Sequence, residues 1–420
     1  MMNRRSFLKA GTAAGLTLAG PGLLRAADNQ PALSGQLLAM TTVAPDDRSK
    51  EISSLLRLDL ATGEPEFLAL PDHRFGHSIL PLVDGGYFAV PYGDDDTPCL
   101  FLDAALNPRG TLAAPPGHGF GGHAAPMPDG RHLFVHFNQT EYDEPLTPEQ
   151  TGQLAIVDIQ TMQPVLTAPS GVLHGHDMLL TRDGRHIVVG DDGVLSSRHP
   201  AQAGDNQYPF SLEMHAPALV SFSTDNPTLI NRQPLALNGC LVHITESPSG
   251  EIIGAVEQYV ANNPDGLALL HDVIGDAEES FVEHLNTDVY RQELPFPGPI
   301  VRVNLKTGEL NPHLAELNQA PFEVSINETT GFAVNVFTGS DMLARFNPFT
   351  GRWSYFPTGA WGVTEPRGVV DIPGTTWMAV NGFWSGIAIF DVLTMSLVRR
   401  FDLPIHGVKH MTHLAARLSP

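Results

Sequence analysis

Cysteine is nearly absent, with only Cys99 and Cys240 in a chain of 420 residues. A disulfide-stapled scaffold and a thiolate metal site both need more, so neither organises this fold. Positive charge is also scarce. Lys and Arg number 24 against 46 Asp and Glu, a formal charge of −22. Nucleic acid, whose phosphates need clustered Lys and Arg, is thereby excluded as a partner. Beyond the first 27 residues no run approaches the ~18 apolar residues that a membrane span requires. Charged residues make up 17% and hydrophobic ones 42%, which excludes both a coiled coil and a disordered chain. Glycine (40), proline (35) and histidine (18) are what is plentiful. Gly and Pro at this density break helical runs and punctuate the chain with turns. So many histidines against so few cations call for a separate explanation.

The chain opens Asn3-Arg4-Arg5-Ser6-Phe7-Leu8-Lys9, and a Gly- and Ala-rich apolar stretch runs on to Leu24. Paired arginines before Phe-Leu-Lys and a weakly hydrophobic segment match a twin-arginine export signal over residues 1–27. The expectation is a mature chain of residues 28–420, exported to the periplasm and carrying no membrane span. That route moves folded proteins, which allows a metal to be loaded before export. Cys99 and Cys240 fall in different repeats, leaving a disulfide between them open.

Two phrases recur along the chain. In the first, an apolar strand ends on Asp or Asn and a turn follows, at Asp59, Asp103, Asp158, Asn304, Asn347 and Asp391, with residues 220–223 filling the one gap. Successive intervals of 44, 55, 65, 81, 43 and 44 residues fit one period with three insertions. In the second phrase a short strand begins at His77, His123, His176, His243, Glu323 or Arg367, and a Gly-containing turn leads into another strand. A seventh such strand, 409–414, lacks its own turn, and segments 36–43, 54–60 and 66–70 supply its missing partners. Four strands per repeat and a repeat completed from both ends predict an all-β fold, a single seven-bladed β-propeller whose last blade is closed by N- and C-terminal strands.

In a propeller the innermost strand of each blade begins at one rim of the central channel. The seven first positions are His77, His123, His176, His243, Glu323, Arg367 and His410. Converging imidazoles lose solvation and repel one another when protonated, and a bound cation relieves both. Neutral imidazole suits zinc, copper, iron or nickel. The densest element is Leu173-His174-Gly175-His176-Asp177, where His174 and His176 share a face of an extended strand and Gly175 admits a close neighbour. The candidate metal ligands are therefore His77, His123, His174 and His176, with Asp177 and His243 as further or supporting ligands. His132, His136 and His186 lie on second strands, where packed or surface histidines are commoner. Arg367 either pairs with Glu323 or holds an anionic ligand. The three longest loops, 138–152, 190–217 and 258–299, emerge over the same channel mouth and carry His199, His215, His271 and His284 with Glu141, Glu144, Asp272 and Glu279. No nucleophile elbow, phosphate cradle or haem-attachment motif is present.

Gly122-His123-Ala124, Pro128-Asp129-Gly130-Arg131-His132, His176-Asp177-Met178-Leu179-Leu180, Arg182-Asp183-Gly184-Arg185-His186 and Gly254-Ala255-Val256-Glu257-Gln258-Tyr259, together with the twin-arginine start, resemble a family of exported bacterial propellers, domain-of-unknown-function family fifteen-thirteen. The likeness is good over residues 74–270 and weak over the last three blades. Its members often accompany imelysin-type periplasmic proteins linked to iron uptake, which implies such metal-uptake proteins as partners. More distantly, Leu173-His174-Gly175 and Asp192-Gly193-Val194-Leu195 are similar to periplasmic zinc metallochaperones of the AztD type. The expected function is a periplasmic transition-metal-binding propeller that sequesters or delivers iron, copper or zinc. Two alternatives stand beside it: a metal-dependent, copper-type periplasmic oxidoreductase, and a non-catalytic protein-docking propeller with structural histidines.

Overall fold

The computed structural model describes residues 33–43, 52–70, 76–93, 97–140, 151–192, 194–195, 213–214, 217–228, 230–236, 240–257, 298–315, 321–383, 385–403 and 411–414. Among these the structure is strand and turn with no α-helix, and no helix is long and apolar enough to cross a membrane. The signal segment, His410, and the loop residues His199, His215, His271, His284, Glu141, Glu144, Asp272 and Glu279 lie outside the described residues.

The strands pair as antiparallel four-stranded meanders. Their first, inner strands are Gly76–Pro81, His118–Pro126, Gly175–Leu180, Cys240–Glu246, Pro321–Ile326 and Pro366–Asp371. The inner strand of a further group is Met411–Leu414, which pairs with Gln36–Val43 and so joins the chain's last described strand to its first. Each inner strand touches the next, and Met411–Leu414 touches both Pro366–Asp371 and Gly76–Pro81, so the row closes into a ring. This is an all-β propeller. The sheets built on Gly76–Pro81 and His118–Pro126 also bond through Tyr92 opposite Gly121 and Gly93 opposite Phe120.

Burial explains why the strands read as they do. Second strands are covered by a neighbouring blade on each face, so Ala333–Phe337 and Trp377–Gly382 are buried at every position and are apolar apart from Asn335 and Asn381. Outer strands such as Pro65–Ala69 and Gln163–Pro169 are mostly exposed, and they leave apolar residues such as Phe67 and Val165 at the surface. The core is a ring of separate interfaces. Phe88, Phe101, Phe137 and Val157 fill one. Phe134, Val189 and Phe222 fill the next, and Leu37, Leu56, Trp377 and Ile389 fill the interface between the first and last blades.

The recurring Asp or Asn is a turn device. Asp59 Oδ1 accepts the N–H groups of Ala61 and Thr62 at 2.9 and 2.8 Å, and Asp158, Asn304, Asn347 and Asp391 repeat the arrangement. A positive-φ residue closes each of these turns: Gly63, Met162, Gly308, Gly351 or Met395. Carboxylate or amide and left-handed residue together bend the third strand into the fourth.

A second device is confined to the inner strands. Each of the six listed first has a register break against its second strand, between Gly76 and Ser78, Phe120 and Ala124, Gly175 and Met178, Leu241 and His243, Pro321 and Val324, and Pro366 and Val369. These β-bulges fall at or beside His77, His123, His176, His243, Glu323 and Arg367. A bulge adds a residue that the ladder does not use and re-aims the side chains at and beside it.

Candidate metal centre

Four of those re-aimed side chains meet. His77, His123, His176 and His243 each offer one ring nitrogen to a group whose atoms all lie within 4.8 Å of one another. The inner strands that carry them are consecutive in the ring. His77, His176 and His243 are buried and His123 is half-buried. His176 Nε2 stands 3.2 Å from His243 Nε2. Tetrahedral ligands on metal–nitrogen bonds of about 2.1 Å stand ~3.4 Å apart, so this separation already has the scale of a coordination edge.

The local fold fixes which nitrogen faces the group. His243 Nδ1 lies 2.7 Å from the Phe322 carbonyl oxygen, so Nδ1–H donates and Nε2 presents its lone pair inward. His123 Nδ1 lies 3.4 Å from Asp177 Oδ1, a looser version of the same arrangement. Asp177 joins three blades: Oδ1 accepts the Met178 N–H and Oδ2 the Ile244 N–H, both at 2.8 Å. Burial, helped by the nearby charge of Glu323, pushes its carboxyl well above the ordinary carboxylate range. Glu323 Oε2 stands 3.9 Å from His243 Nε2, and burial raises its carboxyl to about 7 against the opposing pull of His243.

Gly122 makes room for the cluster. Its φ is +97°, and a methyl group there would lie 2.5 Å from His77 Cδ2. Its carbonyl accepts Ser78 Oγ–H at 2.5 Å. One position earlier, a methyl on Gly121 would strike the Gly175 carbonyl at 2.1 Å. The Asn138 side chain clasps Gly175 from the neighbouring blade, donating to its carbonyl at 3.0 Å and accepting its N–H at 2.8 Å.

The six sequence candidates thus divide by position. His77, His123, His176 and His243 form the group; Asp177 braces it. His174 stands just before its strand, with Nδ1 2.7 Å from Asp192 Oδ2 and both side chains buried. Asp191 holds that segment by accepting the Leu173 and His174 N–H groups at 3.0 and 3.1 Å. Arg367 is buried, its guanidinium 4.4 Å from the Phe322 ring and 4.8 Å from that of Phe383. Among the second-strand histidines, His136 is a core residue bonded to Ser170 Oγ at 2.8 Å, and burial drops its ring to about 3. His132 bonds Asp129 in a turn and His186 is exposed. Cys99 and Cys240 are both buried and are not joined to each other. Sequence reasoning missed Tyr92, whose ring lies 5.1 Å from His77 and 5.0 Å from His176. It also missed Asp192, which hairpin register alone sets beside His174.

Solved structures similar to this one bear out the architecture. The β-propeller domain of Cps50 (Swd1) from Myceliophteria thermophila aligns at 8% identity with a TM-score of 0.50, covering 80% of this chain and 89% of that one. The periplasmic gluconolactonase of Pseudomonas aeruginosa aligns at 13% identity and a TM-score of 0.54, over 91% and 99%. Hydrazine synthase of Kuenenia stuttgartiensis aligns at 12% and 0.54, over 83% and 97%. At such identities the likeness is one of fold alone. No curated protein matches the chain by sequence. Residues 100–288 match the family described as Protein of unknown function (DUF1513). That span contains His123, His176 and His243, three of the four clustered histidines, so over these residues the β-propeller is similar to that family.

Proposed function

We propose that the four-histidine group binds a transition-metal ion and that the protein is a periplasmic propeller which sequesters or hands over that ion. The observation that carries the reading is the convergence of His77, His123, His176 and His243 from four consecutive inner strands to within 4.8 Å. Four imidazoles side by side, three buried and one half-buried, tolerate little protonation, because like charges would sit together with little water to screen them. A cation turns that cost into a binding energy. The donor set favours zinc, copper, iron or nickel over calcium or magnesium, which take oxygen ligands. Export through the twin-arginine start, iron, copper or zinc as cargo, and a periplasmic metal-uptake protein as partner complete the proposal; the acidic surface charge favours approach of cations.

The test is metal analysis of protein exported by its own leader, with melting measured after adding Zn, Cu or Fe salts. About one ion per chain and a raised melting temperature are expected. Trace metal together with an unchanged melting curve would refute metal binding. Redox turnover by the loaded protein would replace carriage with catalysis as its role.

A further inference from the structure

The four histidines are not arranged symmetrically. Five of their six ring-to-ring separations fall between 4.8 and 5.3 Å. The sixth, between His77 and His243, is 6.4 Å, and those two rings lie within 13° of parallel. A tetrahedral set makes all six separations alike, and a square-planar set lengthens two. One long separation remains when two ligands oppose each other and the other two occupy neighbouring positions. Blade order leads to the same arrangement. His77 and His243 come from the outer two of four consecutive inner strands, and His123 and His176 from the two between them. On metal–nitrogen bonds of about 2.1 Å an opposed pair stands ~4.2 Å apart and neighbours at right angles ~3.0 Å. The 3.2 Å between His176 and His243, and the 4.8 Å limit on the whole group, accommodate both.

All four ligands stand on one side of the ring. The remaining inner strands, Pro321–Ile326, Pro366–Asp371 and Met411–Leu414, complete the channel wall. The first two bring Glu323 and Arg367. Arg367 reaches the site's edge through Phe322, whose ring is 4.8 Å from that of His243 and 4.4 Å from the guanidinium carbon.

We propose that this is an open centre, in which the histidines leave two adjacent coordination positions facing across the channel towards Glu323 and Arg367, and that these positions take an exchangeable, small anionic ligand with oxygen or nitrogen donors. The inference rests on the metal-binding reading and adds to it. A closed four-coordinate site stores an ion, whereas an open one lets a second molecule reach it. Arg367 supplies the positive partner for an anion on that side.

The experiment loads the full chain with Co(II), whose visible absorption is intense when four-coordinate and tetrahedral and weak when five- or six-coordinate, and then titrates azide. A weak spectrum that shifts saturably with azide is expected. In Arg367→Gln azide binding should weaken about ten-fold while Co(II) affinity stays within about two-fold. An intense spectrum indifferent to azide would overturn the open centre and leave metal binding standing. Failure of Co(II) to bind would overturn both. Equal azide affinity in a folded Arg367→Gln variant would remove the anion preference. Should that variant not fold, Arg367→Lys is expected to retain the azide response, and its loss without unfolding would count against the proposal.

Discussion

The inner strands Gly175–Leu180 and Pro366–Asp371 share a backbone and differ in what it carries. Both are first strands of a meander, both break register at the same place, and both press on the next blade. In the first the bulge delivers His176 and Asp177 to a cluster of imidazoles. In the second it delivers Arg367 to the rings of Phe322 and Phe383. The bulge is therefore a property of the scaffold, and the side chain standing on it decides the chemistry. A propeller can repeat a bulge in six inner strands and still gather imidazoles on one side of its channel.

The sharpest way to break this contrast is to delete the chemistry and keep the bulge. His176→Ala should lower metal affinity by about 100-fold or more, measured by titration against a competing chelator, while secondary structure by circular dichroism stays native. Asp177→Asn comes next. An amide NH2 facing His123 Nδ1 would favour the tautomer that places the proton on Nε2, so a drop of about 10–100-fold in affinity is expected, with a stability loss of about 1–3 kcal/mol because that edge no longer accepts the Met178 N–H. Nitrogen NMR of the His123 ring would distinguish a tautomer change from a packing defect.

Gly122→Ala tests the scaffold side. A methyl group at φ +97° and 2.5 Å from His77 Cδ2 should cost about 1–3 kcal/mol in chemical denaturation and weaken metal binding as well. The smallest effect should come from the side of the ring away from the four-histidine group. Asp371 is buried and accepts the Asn327 side-chain N–H at 2.6 Å; burial, with Glu328 nearby, raises its carboxyl to about 6 from an ordinary 3.8. A raised carboxyl gives stability that is fully present below pH 3.8 and lost as pH rises through about 6. Asp371→Asn should accordingly match the native protein in acid and exceed it by roughly 1 kcal/mol above pH 6, read from melting curves across pH.

The fold was largely legible because its devices leave short, local marks. An Asp or Asn at a strand end is there to accept two turn amides, so Asp59, Asp158, Asn304, Asn347 and Asp391 marked third strands without reference to tertiary structure. His77, His123, His176 and His243 were legible as a set for the same reason: equivalent positions in a repeat meet in space. What could not be read was the bulge. Strand alternation sets His174 and His176 on one face, but the register breaks between Gly175 and Met178, and His174 is instead held by Asp192. Tyr92 carried no mark either, since its approach to His77 and His176 depends on how one blade leans on the next.

The pairing of Gln36–Val43 with Met411–Leu414 has a consequence for how the molecule comes to exist. Met411–Leu414 also packs against Gly76–Pro81, the strand that carries His77. Contacts between residues this far apart in the chain form late and slowly, because their loop-closure entropy must be overcome before they stabilise anything. During synthesis the four histidines would all be available long before the wall beside His77 is complete. The moment at which metal is first held well is then set by the folding clock of the whole ring, and a chain halted shortly before Met411 would carry every ligand and yet lack the finished vessel.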